Sequence, residues 1–513
     1  MLRLRESRVP CYPMLRKILL AGVVAVAIAG CGSSSGSGHA ESPLATELSY
    51  FPTDTPFVIA VTTNPNSSAL KSAESQLTTR FPEGSLGIAA LEEKLQSFGL
   101  NYDSDIKPLF GNPILLGAVS NTAVSAGAAR DNYLFSWVAS SASGLKSLVS
   151  KLTHAGGSTD TRDGASLYQL GDVTLAVDGA TALIGPPSVV NAALDTHAHN
   201  LGFTQAEYSS DTTGLPQNNL VEAFGNLTAV LSRPSAAKAR EVPWVNAIRS
   251  YGAAISTSSS GITFQYRVNT NGSALSPSQV PIAAGSAAPD LVGTAPVSVG
   301  INDPAQIISF ALAADQAVSP SSYAAFEARM AKLKSSEGID LQTLTNLLTG
   351  SVIIEKDGSA AIGRAIVSNP SEAASVLAKL ASAPHGLFKS GTAFTKLGGG
   401  FYQIKEPASP VTGVAGKPTL LTLGVTGNQL VVGKATVAQE KAFAAAPSAP
   451  ASFAHGSVAF QVALSSLLQS KLSGGGSTAS AIAQTLLSHL GDLTGWVAAS
   501  PSALTGSATL ALH

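Results

Sequence analysis

Residues 172–187 read DVTLAVDGATALIGPP, and residues 420–435 read LLTLGVTGNQLVVGKA. In each, two apolar runs flank a dipeptide suited to a tight turn, Asp178-Gly179 in the first and Gly427-Asn428 in the second. Glycine supplies the positive φ that a two-residue hairpin needs. Both segments therefore read as β-hairpins. Each follows a Tyr-Gln-aliphatic triplet, Tyr168-Gln169-Leu170 or Tyr402-Gln403-Ile404.

The likeness continues outward in both directions. Upstream, Leu145, Leu148, Val149 and Leu152 answer Ala373, Val376, Leu377 and Leu380, two helical stripes of the same spacing. Before them, YLFSWVAS from Tyr133 answers AAIGRAIVS from Ala360, and NPILLGAV from Asn112 answers SVIIEKD from Ser351. PFVIAVTT from Pro56 answers PVSVGIND from Pro296, with helical stripes after each at Leu91, Leu95, Phe98 and at Phe326, Met330, Leu333. Downstream, NNLVEAFGNLTAVL from Asn218 answers GSVAFQVALSSLLQ from Gly456. A helix around Trp244, Ile248 and Tyr251 answers Ile482, Leu486 and Leu490, and a last hairpin closes each copy. The expected fold is α+β: two tandem homologous modules, residues 43–271 and 296–513, each a mainly antiparallel sheet with helices packed on one face. Residues 272–295, with their Pro, Gly and Ser turns, read as the linker.

The first thirty residues read as an address. From Met14, MLRKILLAGVVAVAIAGC places Arg16 and Lys17 before an apolar run too short for a permanent span. Ile28, Ala29, Gly30 and Cys31 resemble the bacterial lipobox, at which Cys31 is acylated and becomes the mature N-terminus. Met14 is the expected start, residues 1–13 being an extension. GSSSGSGHAES follows, so residues 31–42 read as a flexible Gly/Ser tether. The expected location is the cell envelope, exported and held by acylated Cys31 on the outer face of the cytoplasmic membrane or on the outer membrane. Two or more acyl chains hold stably.

Composition excludes several classes. Of 513 residues, 45% are apolar and the net charge is −1, which fits a packed chain and not a phosphate-neutralising nucleic-acid binder. Residues 1–30 carry five basic residues and one acidic, so their removal takes the charge from −1 to −5. It also removes Cys11, and acylation of Cys31 leaves no thiol for a disulfide, a metal or catalysis.

Two motifs carry a family resemblance. Tyr50-Phe51-Pro52-Thr53-Asp54-Thr55-Pro56-Phe57 is similar to the opening motif of an uncharacterised bacterial envelope family, domain of unknown function 3352. Asp105-Ile106-Lys107-Pro108-Leu109-Phe110-Gly111 resembles its second motif, with Leu109-Phe110 where Trp-Leu is commoner. The resemblance implies an exported or membrane-attached protein and supplies no substrate and no catalytic residues. Both motifs also have a structural account: Pro52 and Pro56 bracket a turn, and Lys107-Pro108 with Gly111 ends a helix and enters a strand.

Candidate chemistry is sparse. His197 and His199, with Asp195 nearby, form one metal-like cluster, but the segment reads as a loop and has no third ligand. A literal G-x-S-x-G, Gly32 to Gly36, lies in the tether without its strand–turn–helix context. Gly427 to Lys434 has one residue too many for a phosphate loop, and Ala435 stands where Ser or Thr would hold magnesium. Glu92-Glu93 and the Asp103/Asp105 pair suit solvated faces or caps, and Trp137, Trp244 and Trp496 suit cores or an interface. No catalytic, metal or cofactor residue is assigned. The expectation is a non-catalytic binding or scaffolding protein that shelters a hydrophobic ligand between its repeats or engages an envelope protein. The alternative is an envelope-polymer hydrolase, whose cleft would hold a buried carboxylate pair or a Ser–His contact.

Overall fold

The computed structural model describes residues 42–80, 92–97, 99–119, 132–153, 158, 160–285, 287–348, 350–358, 360–382, 392–406, 419–472 and 487–513. The signal, the lipobox at Ile28, Ala29, Gly30 and Cys31, the tether through residue 41, and the stripe positions Leu91, Phe98, Ile482 and Leu486 lie outside them. Among the described residues no helix is long and apolar enough to cross a membrane.

The chain divides into two compact units, one made of residues 1–232 and 249–267, the other of 233–248 and 268–513. In the first part of the chain lie β1 (Phe57–Val61), β2 (Ile114–Ala118), β3 (Tyr133–Val138), β4 (Asp160–Arg162), β5 (Ala165–Leu170), β6 (Val173–Asp178), β7 (Thr181–Gly185), β8 (Val221–Asn226), β9 (Ile248–Ser258) and β10 (Gly261–Thr270). They pair in the order 4-5-6-7-3-2-1-8-9-10. The remainder holds β11 (Asp290–Leu291), β12 (Val297–Ile301), β13 (Val352–Asp357), β14 (Ala360–Ile366), β15 (Ala393–Gly398), β16 (Phe401–Glu406), β17 (Thr419–Thr426), β18 (Gln429–Gly433), β19 (Ala449–Pro450), β20 (Val458–Ala463), β21 (Leu490–Ser500) and β22 (Ala503–Leu512). Here the order is 15-16-17-18-14-13-12-20-21-22. The hairpins expected at residues 172–187 and 420–435 are β6–β7 and β17–β18. Gly179 (φ 58°) and Gly427 (φ 57°) take the first of two loop residues in each, where a type II′ turn places glycine.

Two parts of the expected fold class are corrected. The sequence predicted two tandem modules with a sheet each, whereas among the described residues twenty strands join in one hydrogen-bonded sheet and β11 pairs with β19 in a small second one. The compact units are not successive either, since residues 233–248 group with 268–513. A repeat in sequence fixes strand order but leaves edge N–H and C=O groups open, and these pair wherever another strand is in reach.

The helices were also expected on one face, and they cover both. In the first unit, Leu115, Ala176 and Leu183 pack with helices 43–48 and 187–198, while Ile114, Leu175 and Ala182 pack with helix 142–152 and the turns at 102–109. Adjacent residues of one strand point to opposite faces, so both faces carry a core. The continuous apolar runs of β2 and β7 are what burial on both sides requires. In the second unit, helices 320–337, 341–347 and 370–382 pack over Val367, Val425 and Leu430. On the other face Arg364 is buried and donates to the carbonyls of Phe443, Ala444 and Ala446, closing the end of helix 437–445. The segment around Ile248 and Tyr251, expected as a helix, is a short helix at 243–247 followed by β9, whose burial alternates as a strand's does. Residues 272–295 bury Val280 and Ile282 against Trp244 and Ile307 of the second unit.

Candidate functional site

The second unit contains a pocket of about 450 Å³. Its walls come from the helical segment that follows β12 and from the sheet. Pro304 and Pro320 each start a helix at the position where a missing N–H costs nothing, and Gly338 (φ 70°) ends the second. These helices, 304–318 and 320–337, supply Ile308, Leu312, Phe326 and Met330. Asp340 accepts from the Thr343 N–H at 2.9 Å and caps helix 341–347, which adds Leu341, Leu344 and Leu347. That amide, the Thr343 hydroxyl and Lys334 pull the Asp340 carboxyl down to about 2. Helix 370–382 adds Ala373 and Leu377, and the sheet adds Leu423 and Leu430.

Among the described residues of the lining Thr345 is the one that is polar, and its hydroxyl donates to the Leu341 carbonyl at 3.0 Å. Water needs two to four polar partners to be held in such a space, and this lining offers none free. The volume falls within the range of about 300–1,000 Å³ typical of small-molecule sites.

Strand register shows why the space is open. Trp137 stands opposite Ile114 and Ala182 in the first unit, and Ala365 stands opposite Val352 and Leu430 in the second. These are the same places in the two strand orders. Leu145 lies four residues after the capping Ser141, and Ala373 four after Asn369, whose side chain accepts from the Glu372 N–H. In the first unit the region is packed by Trp137 with its ring 5.6 Å from Phe110, which is 6.4 Å from Tyr102. Alanine at two of these positions in the second unit withdraws that bulk.

The other candidates resolve into local contacts. His197 ends helix 187–198, stacks on Tyr50 at 4.4 Å and meets the Ser49 hydroxyl through Nδ1 at 2.6 Å. His199 Nδ1 meets the Asp195 carbonyl at 2.8 Å, and Asp195 takes both oxygens to Arg162 at 2.6 and 2.8 Å. The segment is helical, where sequence predicted a loop, so the rings at i and i+2 diverge. The Ser49 hydroxyl donates to the Thr46 carbonyl at 2.6 Å and is committed to ending helix 43–48. Among the described residues no group of three or more His, Cys, Asp or Glu is placed to hold a metal. Asp103 pairs with Lys107 at 3.1 Å and Asp105 with Lys151 at 2.7 Å. Glu93 is exposed. Gly427 to Lys434 forms the hairpin β17–β18, not a strand–loop–helix. Trp137 lies in a core, and Trp496 packs edge-on to His455 at 5.5 Å.

Several buried acids went unmarked in the sequence because burial is invisible there. Glu47 accepts from the Val138 N–H at 2.9 Å, and its burial pushes the carboxyl well up. Burial raises Asp211 to about 6, with the Ser250 hydroxyl at 2.5 Å opposing the shift, and raises Glu440 to about 7. Glu222, which accepts from the Tyr208 hydroxyl, is raised by the same cause.

A family model described as "Protein of unknown function (DUF3352)" matches residues 16–382. The chain belongs to the DUF3352 family. The Tyr50 to Phe57 motif of this DUF3352 protein forms a turn, Thr55 N–H to Pro52 O at 2.9 Å, docked by the Phe203 N–H donating to the Phe51 carbonyl at 2.8 Å. No curated protein matches the chain. Solved structures with similarity include crystal forms III and I of TP0453, each 7% identical with a TM-score of 0.25, covering 44% of this chain and 79% of that one. Crystal form IV of TP0453 is 8% identical, again at 0.25, covering 44% and 80%.

Proposed function

We propose that this DUF3352 protein is a non-catalytic binding protein of the cell envelope whose second unit takes up the apolar chain of a hydrophobic ligand. The observation that carries the reading is the pocket between helices 304–347, helix 370–382 and the sheet, whose described residues are apolar but for a hydroxyl already bonded within its own helix. An acyl chain satisfies such a lining, because it removes apolar surface from water and asks for no hydrogen bond. Sequence reasoning placed the ligand between the repeats; this pocket lies inside the second unit.

The address belongs to the same proposal. Cleavage before Cys31 and its acylation would anchor the chain by its N-terminus. The matching strand orders support an origin by internal duplication, after which one copy kept its aromatic filling and the other lost it. Native mass spectrometry of the protein purified without detergent, with organic extraction of what it carries, tests the reading. A bound amphiphile is expected. Protein that is free of ligand and takes up none on incubation with palmitate would overturn it.

A further inference from the structure

The sheet face beneath the pocket continues past it in an ordered way. Register sets out three successive rows on that face. The first, Val352, Ala365, Leu430 and Val425, lies under the helices. The second, Ile354, Gly363, Val432 and Leu423, begins at the pocket wall, since Leu423 lines it, and runs out to Ile354 and Val432, which are 40% and 39% exposed. A Cβ built on Gly363 would lie 3.7 Å from Val432 and 3.8 Å from Ile354, so the glycine is the floor of a shallow apolar trough between them. The third row is Lys356, Ala361 and Lys434, joined by the Lys356–Ala361 pairing and the Lys434 N–H donating to the Ala361 carbonyl at 2.9 Å.

Two residues of strand advance about 6.6 Å, so the lysines stand roughly 13 Å beyond the row under the helices. They flank Ala361 across two strand spacings, about 10 Å. Both are exposed, and neither has an ion-pair partner among the described residues. Glu355 and Asp357, the neighbours of Lys356 in β13, alternate to the opposite face, where Glu355 is bound to Thr294 at 2.7 Å.

We infer that the ligand is a single-chain anionic amphiphile: its tail fills the pocket and crosses the Gly363 trough, and its headgroup sits between Lys356 and Lys434. This rests on reading the pocket as the ligand site. An uncharged apolar molecule would use the pocket and leave the lysines idle. A carboxylate or phosphate head at the end of the trough meets two ammonium groups on long stems, which reach it without leaving water.

Displacement of the uncharged dye Nile red by dodecanoate and by dodecanol, in the same protein, separates tail from head. Wild type is expected to bind dodecanoate about three- to tenfold tighter than dodecanol at low ionic strength, as two exposed ion pairs allow. The preference should vanish in Lys356→Gln/Lys434→Gln, and should shrink in about 0.5 M salt, where exposed charges are screened. Dodecanol affinity should be unchanged in that variant, which also shows it is folded. Ala373→Leu should weaken both ligands. A preference that survives the double substitution overturns the headgroup site while leaving the pocket reading in place. If neither ligand displaces the dye, or Ala373→Leu affects neither, the pocket reading fails and this inference with it.

Discussion

Glu440 is fully buried in the turn of helix 437–445 that faces β18, and burial raises its carboxyl to about 7 against an ordinary 4.5. Below about pH 4.5 the folded and unfolded chains are both protonated there, and folding carries no penalty. As pH rises from about 4.5 to about 7, the unfolded chain ionises while the folded one holds its proton, so stability falls. Asp211, raised to about 6, bends the curve the same way, which makes the difference between wild type and Glu440→Gln the useful reading. The substitution should stabilise the protein at pH 8 by roughly 3 kcal/mol and leave pH 4.5 almost unchanged, measured by urea unfolding. Trp137→Ala belongs to the same scale. It opens in the first unit the space that Ala365 leaves in the second, within a core built around the larger ring, and should cost about 3–5 kcal/mol. Thermal or denaturant unfolding reads this directly.

At the scale of elements, Gly427 is the residue that turns β17 into β18, and the pocket wall at Leu423 and Leu430 hangs on that register. Gly427→Val should destabilise by about 1–2 kcal/mol, because a β-branched residue is held at positive φ, and should weaken ligand uptake more than Gly358→Val, a loop glycine of similar φ between β13 and β14. Dye binding and melting temperature check both effects. The hairpins were legible in the sequence because their turn chemistry is local: an apolar run, a glycine, an apolar run. The stripes Leu145 to Leu152 and Ala373 to Leu380 were legible for the same reason, and both are helices with those residues facing a core. The two-sided packing is written in β2 and β7, whose apolar runs Ile114–Ala118 and Ala182-Leu183-Ile184 do not alternate with polar residues. The pocket was less accessible. Its signal is a pair of small side chains, Ala373 in the place of Leu145 and Ala365 in that of Trp137; helical spacing matches the first pair, but only strand register shows that the second pair corresponds.

At the scale of the whole molecule, the repeated order of elements was read from sequence, but the joining of twenty strands in one sheet was not. Repetition is a property of the chain, whereas edge pairing is decided among backbone groups that carry no residue-specific mark. The address is independent of both. Cys31→Ser should move the protein from the membrane fraction to the soluble one or leave its signal uncleaved, with radioactive palmitate incorporation lost. Unchanged fractionation and labelling would remove the anchor from the account. The central claim is the pocket, and the most direct measurement is native mass spectrometry of the detergent-free protein beside Ala373→Leu. The account predicts an extractable single-chain amphiphile on wild type and its loss, or marked depletion, on the variant. Wild type that flies as bare protein after exposure to palmitate, or ligand retained equally by Ala373→Leu, would contradict it.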